Sequence, residues 1–202
     1  MSAVSPLVPV TSEAVLDEFR ESGALLEGHF KLSSGRHSGH YLQCARVLMH
    51  PARAERLAHA VVNAIPADIV ERIDVVVSPA MGGIIIGHEV ARVLCKDAMF
   101  LERPEGTFHL RRGFALEPGA SVLMVEDVVT TGLSSREAIE AVAREGGEVI
   151  AECALIDRSN GSVDLGVPFH PLIAIDFPTY AEDEMPEELA AMPVTKPGSR
   201  KE

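Results

Sequence analysis

The sequence contains no tryptophan, and aromatic residues make up only 4% of its 202 positions. A sandwich or barrel core built on stacked rings is therefore not expected. Positive charge is also scarce: 18 Lys+Arg stand against 30 Asp+Glu, for a net charge of −12. Such a chain repels nucleic acid and anionic membrane, and any anionic ligand must be met by basic residues concentrated in a few places. Lysine occurs only at Lys31, Lys96, Lys196 and Lys201, and none stands in a GxxxxGK[ST] loop, which removes the usual nucleoside triphosphate cradle. Gly82, Gly83 and Gly87 lack GxGxxG spacing, so a dinucleotide-binding dehydrogenase is disfavoured. Cys44, Cys95 and Cys153 are scattered and form no CxxC pair, so they read as reduced thiols in a cytoplasm and not as a disulfide or zinc framework. Residues 1–10 carry no Lys or Arg, unlike a secretory signal. Apolar runs such as Ile84-Ile85-Ile86 fall far short of the roughly 20 residues that span a bilayer. The expectation is one soluble, cytoplasmic domain.

The remaining 47% hydrophobic residues are arranged in two rhythms. Thr11-Ser12 ahead of Val15, Leu16 and Phe19, with Gly23 behind, predicts a capped helix. Pro51 opens a second, with Leu57, Ala58, Val61, Val62 and Ile65 on its apolar face. Short unbroken aliphatic runs follow at 75–77, 98–101, 121–125, 149–157 and 171–175, separated by helical patterns. Runs without alternation suit strands covered on both faces, so the predicted fold is α/β, a central mostly parallel sheet flanked by helices. In such folds ligands bind at the carboxyl ends of the strands. The expected organisation is a small cap at 1–50, the α/β core at 51–178, and a solvated acidic tail at 179–202 holding Glu182, Asp183, Glu184, Glu187 and Glu188.

One segment carries the most chemistry: Val122-Leu123-Met124-Val125-Glu126-Asp127-Val128-Val129-Thr130-Thr131-Gly132-Leu133-Ser134. A buried strand delivers two adjacent carboxylates, then a Thr/Gly turn opens a helix. Hydroxyls, a glycine and free N–H groups at a helix start make a nest suited to a monophosphate. The carboxylates repel that phosphate but can accept hydrogen bonds from vicinal sugar hydroxyls and favour positive charge growing on a ribose ring. Two windows free of acid hold the positive charge. Residues 28–54 carry Lys31, Arg36, Arg46 and Arg53; residues 106–116 carry Arg111 and Arg112, with Arg103 just upstream. The second window lies around Gly106 and Gly113, as a mobile flap would, and its arginines offer bidentate donors to phosphate.

The 122–134 segment resembles the signature of the type I phosphoribosyltransferases. Gly28-His29-Phe30-Lys31-Leu32-Ser33-Ser34-Gly35-Arg36-His37-Ser38 with Tyr41, then Ser78-Pro79-Ala80-Met81-Gly82-Gly83, Glu102-Arg103, Leu110-Arg111-Arg112-Gly113-Phe114 and Asp157-Arg158-Ser159, resemble the orotate phosphoribosyltransferases in the family's order. The resemblance implies transfer of the phosphoribosyl group from phosphoribosyl diphosphate to orotate, on the way to UMP. It implies Mg²⁺ carried on the diphosphate, with no metal site of the protein's own, and a homodimer whose flap reaches the neighbouring subunit. By the same resemblance, Glu126, Asp127 and the flap's Arg112 are catalytic. Glu126, Asp127, Val128, Val129, Thr130, Thr131, Gly132, Leu133, Ser134, Arg103, Arg111, Gly82 and Gly83 hold phosphoribosyl diphosphate. Thr130, Arg158, Lys31, Ser33 and Tyr41 hold orotate, with Arg158 on its carboxylate. The chain departs from the better-known pattern in carrying arginines and His109 where the flap has lysines and a histidine, Ser33 at a hood lysine position, and Gly82 at another. Two alternatives remain: a transferase for a different base, or a non-catalytic sensor of phosphoribosyl diphosphate.

Overall fold

The computed structural model describes residues 11–32 and 34–196. Helix α1 (Ser12–Glu21) begins where the Thr11 hydroxyl accepts a bond from the Ala14 N–H at 3.2 Å, and its Val15 and Phe19, one turn apart, are buried. A hairpin follows, β1 (Leu25–Lys31) and β2 (His37–Leu42), and then α2 (Cys44–Leu48). Helix α3 (Pro51–Ala64) starts on its proline, and the short α4 (Ala67–Val70) leads into the sheet. The core elements are β3 (Val75–Pro79), α5 (Gly82–Leu94), β4 (Asp97–Glu102), β5 (His109–Leu110), β6 (Ser121–Val129), α6 (Leu133–Arg144), β7 (Glu148–Asp157) and β8 (Phe169–Ala174). The chain ends its described course with β9 (Thr179–Tyr180), α7 (Glu187–Ala190) and β10 (Val194–Thr195).

The six-stranded sheet has the order β5-β4-β3-β6-β7-β8, parallel except at the β5 edge. Its apolar runs show no polar alternation because both faces are covered, Glu152 of β7 apart. Val76, Leu123 and Val125 pack with α1, α3 and α5 on one side; Val77, Val122 and Met124 pack with Ala138, Ala141 and Val142 of α6 on the other. The expected α/β architecture is the one observed. Strand β6 runs four residues beyond the aliphatic stretch, since Val128 and Val129 pair with Ile156 and Asp157 of β7. The acid pair therefore lies within the strand, beyond the aliphatic run that marks it in the sequence.

The C-terminal segment differs from the expected solvated tail. Its acidic residues are exposed, but β9 pairs with β2 and β10 pairs with β1, giving a second sheet of order β10-β1-β2-β9. The hairpin leaves two open edges, and extended backbone from the chain's end satisfies their N–H and C=O groups. Arg36 strengthens the closure by donating to the Thr179 hydroxyl at 2.9 Å and to its carbonyl at 2.6 Å. The cap over the core thus draws on both ends of the sequence. Among the described residues, no helix is long and apolar enough to cross a membrane.

Candidate active site

At the carboxyl ends of β3 and β6 lies a pocket of about 460 Å³. Its floor is the stretch from Glu126 to Ser135, and Pro79, Ala80, Gly82, Arg103 and Phe108 complete the wall. Gly132 takes a left-handed conformation (φ +72°) at the head of α6, and a side chain there would meet Leu165 Cδ2 at 2.7 Å, so both backbone and space call for glycine. The first main-chain bond of the helix is donated by Arg136 N–H to the Gly132 carbonyl at 2.9 Å. The N–H groups of Leu133, Ser134 and Ser135 therefore precede the intrahelical ladder and sit at the positive end of the helix dipole. Arg136 braces the loop from outside through the Thr131 and Asp164 carbonyls, both at 3.0 Å.

The acid pair is packed tightly. A Cβ at Gly82 would stand 2.5 Å from Asp127 Oδ1, and one at Gly83 would stand 2.7 Å from the Val125 carbonyl and 3.3 Å from Glu126 Oε2. These glycines let the first turn of α5 rest against the carboxylates. Gly82 also lines the pocket, whereas Gly83 is buried beneath it. Glu126 is only 7% exposed. Burial, then Asp127 and Glu152, push its carboxyl up to about 9, against weaker opposition from the Asp127 N–H and Arg103. Burial also raises Asp127, while the backbone N–H groups of Val128 and Asp127 itself oppose it.

This arrangement has a measurable consequence for the ligand-free protein. Between the ordinary carboxylate value of 4.5 and about 9, the folded chain keeps the Glu126 proton and the unfolded chain has released it. The folded state binds more protons there, so its stability is fully present below the lower bound and is lost as pH rises through the upper. Thermal melts should show the midpoint falling from pH 5 to pH 9, and Glu126→Gln should flatten the upper part of that fall. A wild-type midpoint that rises over this range contradicts the buried neutral carboxyl.

A second pocket, about 550 Å³, shares the Thr130–Thr131 wall and is enclosed by Lys31, Leu32, Ser34, Tyr41, Arg158 and Thr179. Arg158 is anchored by its own N–H to the Val129 carbonyl at 2.8 Å, and its half-buried guanidinium lies 5.9 Å from the Phe177 ring. Its Nε is buried and has no hydrogen-bond partner among the described residues. Burial lowers its pKa from the usual guanidinium value, with Asp176 opposing. The adjacent Asp157 is not its counter-ion: that carboxylate accepts the N–H groups of Ser159 at 2.7 Å and Gly161 at 2.9 Å. A cation with an unused donor, facing a pocket, is suited to an anion brought from outside.

Most sequence-stretch expectations thus converge here: residues 126–134, Gly82 and Arg103 line the first pocket; Lys31, Tyr41, Thr130 and Arg158 line the second. Ser33 lies outside the described residues. Arg111 and Arg112 are not brought to either pocket of their own chain. Both pair with Glu102 at the end of β4, Arg112 also lies 5.8 Å from the Phe100 ring, and its side chain is 64% exposed. The β4–β5 hairpin carries them outward, and Glu102 offers the carboxylate within reach. Arg103, by contrast, stacks 4.0 Å over Phe108 and pairs with Glu137 of α6, which keeps it at the pocket wall. The sequence reading missed Phe108, Thr179 and Ser135 as lining residues. Only Ser135 had a local signal, its place one residue beyond the phosphate-type turn.

The chain matches the phosphoribosyl transferase domain over residues 44–165. It is 72% identical over 191 residues to the orotate phosphoribosyltransferase of Erythrobacter litoralis, covering 95% of this chain and 99% of that one. The chain belongs to the orotate phosphoribosyltransferase family. The relative from Novosphingobium aromaticivorans is 70% identical, with 93% and 97% of the two chains covered. The crystal structure of orotate phosphoribosyltransferase from Aeropyrum pernix superposes with a TM-score of 0.63 at 26% identity, covering 80% of this chain and 93% of that one. The domain match begins at α2, so the β1–β2 hairpin of this orotate phosphoribosyltransferase family member lies outside it, while both carboxylates, the Thr/Gly turn and Arg158 lie inside.

Proposed function

We propose that the chain transfers the 5-phosphoribosyl group from phosphoribosyl diphosphate to orotate, releasing orotidine 5′-monophosphate and diphosphate in the route to UMP. The observation that carries this reading is Arg158, which lines a pocket joined to the anion-binding turn by Thr130 and Thr131 and whose buried Nε has no hydrogen-bond partner among the described residues. Orotate brings a carboxylate to that position; uracil, adenine and hypoxanthine do not. The phosphate nest without a carboxylate receptor would fit any member of the wider superfamily.

In this reading the first-turn N–H groups of α6, with Thr130, Thr131, Gly132, Leu133 and Ser134, hold the 5-phosphate. Glu126 and Asp127 bind the vicinal ribose hydroxyls. Lys31, Ser33 and Tyr41 cover the pyrimidine ring while Arg158 pairs with its carboxylate. The bond from the anomeric carbon to the diphosphate oxygen breaks and a bond to the pyrimidine N1 forms, the N1 proton being released with the diphosphate. Positive charge grows on the ribose in between, as in glycoside chemistry, and the Asp127 carboxylate stabilises it. Arg103 meets the diphosphate from the wall. Arg111 and Arg112, held outward on their own chain, serve the neighbouring subunit of a homodimer.

Glu126 and Asp127 supply hard oxygen donors of the kind Mg²⁺ takes. The ion would arrive carried on the substrate's phosphates. With Glu126 and Asp127 near it, Mg²⁺ would supply charge neutralisation for the departing diphosphate. The unpaired thiols of Cys44, Cys95 and Cys153 fit a reducing cytoplasm.

The test is diphosphate release from phosphoribosyl diphosphate and Mg²⁺ in the presence of orotate, uracil, adenine or hypoxanthine. Orotate should exceed every uncharged base by at least about 10²-fold, because a site that pairs a buried cation rejects ligands that leave it unpaired. Equal rates with uracil would remove the assignment.

A further inference from the structure

The wall behind the phosphate turn contains a carboxyl that the reaction does not use. Glu152 lies in the middle of β7, between Met124 of β6 and Phe169 of β8, and is 0% exposed. Within the run Val149 to Ile156 it is the one charged residue. An apolar side chain would be the less costly choice for such a position. Glu152 has one partner among the described residues: the Ser135 hydroxyl donates to its Oε1 at 2.6 Å, and Oε2 is left with none.

Ser135 gives this bond its importance. It is the third residue of α6, it is 2% exposed, and it lines the pocket. Gly132, at the head of the helix, has no side chain with which to cap it, and the one local bond there is a long one, from the Leu133 N–H to the Thr131 hydroxyl at 3.4 Å. Farther along, α6 meets the sheet through Ala138, Ala141 and Val142, small apolar contacts without direction. A hydrogen bond is directional, and this one ties the first turn of the helix to the central sheet from below. Arg136 holds the same turn from its exposed side.

We infer that Ser135 and Glu152 are positioning residues for the 5-phosphate. Their buried hydrogen bond fixes the first turn of α6 so that its N–H groups converge on the phosphate. The inference rests on the reading of residues 130–134 as the phosphate loop, and deepens it by naming what holds that loop in place. The raised Glu152 carboxyl, pushed to about 7 by burial and opposed by the Ser135 bond, is consistent with a group kept for its contact.

The experiment compares Ser135→Ala, Glu152→Met and Glu152→Gln in the full chain. Glu152→Met keeps the volume and removes the strong acceptor; Glu152→Gln keeps an oxygen at the same reach. Thermal melts establish folding, calorimetry reads ribose 5-phosphate affinity, and kinetics read KM for each substrate. Ser135→Ala and Glu152→Met should weaken ribose 5-phosphate binding and raise the phosphoribosyl diphosphate KM by about tenfold, the worth of one hydrogen bond. The orotate KM should stay within about twofold, and Glu152→Gln should recover the affinity. A merely structural bond would lower the melting midpoint without splitting the two KM values. Folded Ser135→Ala with wild-type ribose 5-phosphate affinity overturns the inference, and decides the matter alone if Glu152→Met does not fold. Glu152→Gln as impaired as Glu152→Met also overturns it. Wild-type protein that fails to bind ribose 5-phosphate sinks the phosphate-loop reading as well.

Discussion

Asp127→Asn is expected to lower turnover by about 10²-fold or more with little change in phosphoribosyl diphosphate affinity. The substitution preserves shape and hydrogen-bonding reach but removes the charge that faces the ribose as it becomes cationic. Since that charge matters more at the transition state than before it, the loss falls on kcat. Two features of the site enlarge the effect. The carboxylate is partly withdrawn from water, where a charge interaction is less screened. It also sits against Gly82, so the first turn of α5 limits its movement. The fold should tolerate the change, because burial penalises the ionised carboxylate that Asn replaces. Steady-state kinetics with thermal melts check both halves; turnover near wild type would remove Asp127 from the reacting centre.

Arg158→Ala is expected to raise the orotate KM by roughly ten- to a hundredfold, the equivalent of about 1.5–3 kcal/mol for one charge-assisted bond. The phosphoribosyl diphosphate KM should move far less, because Arg158 belongs to the second pocket and the phosphate turn to the first. No large stability cost should accompany the change: the guanidinium has no salt bridge among the described residues, and Asp157 already satisfies its oxygens on the Ser159–Gly161 turn. Equal effects on the two KM values would make Arg158 a general electrostatic contributor and would take away the carboxylate assignment.

The parallel sheet was legible because burial on both faces leaves an unmistakable trace, aliphatic runs such as 75–77 and 149–151 with no polar alternation. The acid pair and the Thr/Gly turn were legible because their residues are contiguous, so the motif and the site nearly coincide. Features that join distant parts of the chain left weaker traces. A two-residue strand such as β10 takes its conformation from the partner edge, and its own sequence contributes almost nothing. The bond between Ser135 and Glu152 crosses from helix to strand, and the only hint was an acid in an otherwise apolar run. Arg111 and Arg112 were recognisable as a basic flap, but their direction depends on the β4–β5 hairpin and on Glu102, which a composition window does not contain.

The edges of the small sheet impose an order on assembly. Phe30 of β1 pairs with Thr195, and the His29 ring shares a hydrogen bond of 3.2 Å with the Met192 carbonyl, although 163 residues separate them. Thr179, which encloses the Arg158 pocket, belongs to the same late segment. During synthesis the first hairpin emerges early and waits, both edges bare, while residues 126–135 and their sheet are made. A nascent chain that already has residues 126–135 in place still lacks the Thr179 wall of the Arg158 pocket. Closure of that pocket comes with the segment at 179–195, so a chain stopped before it keeps the first pocket without an enclosed second one.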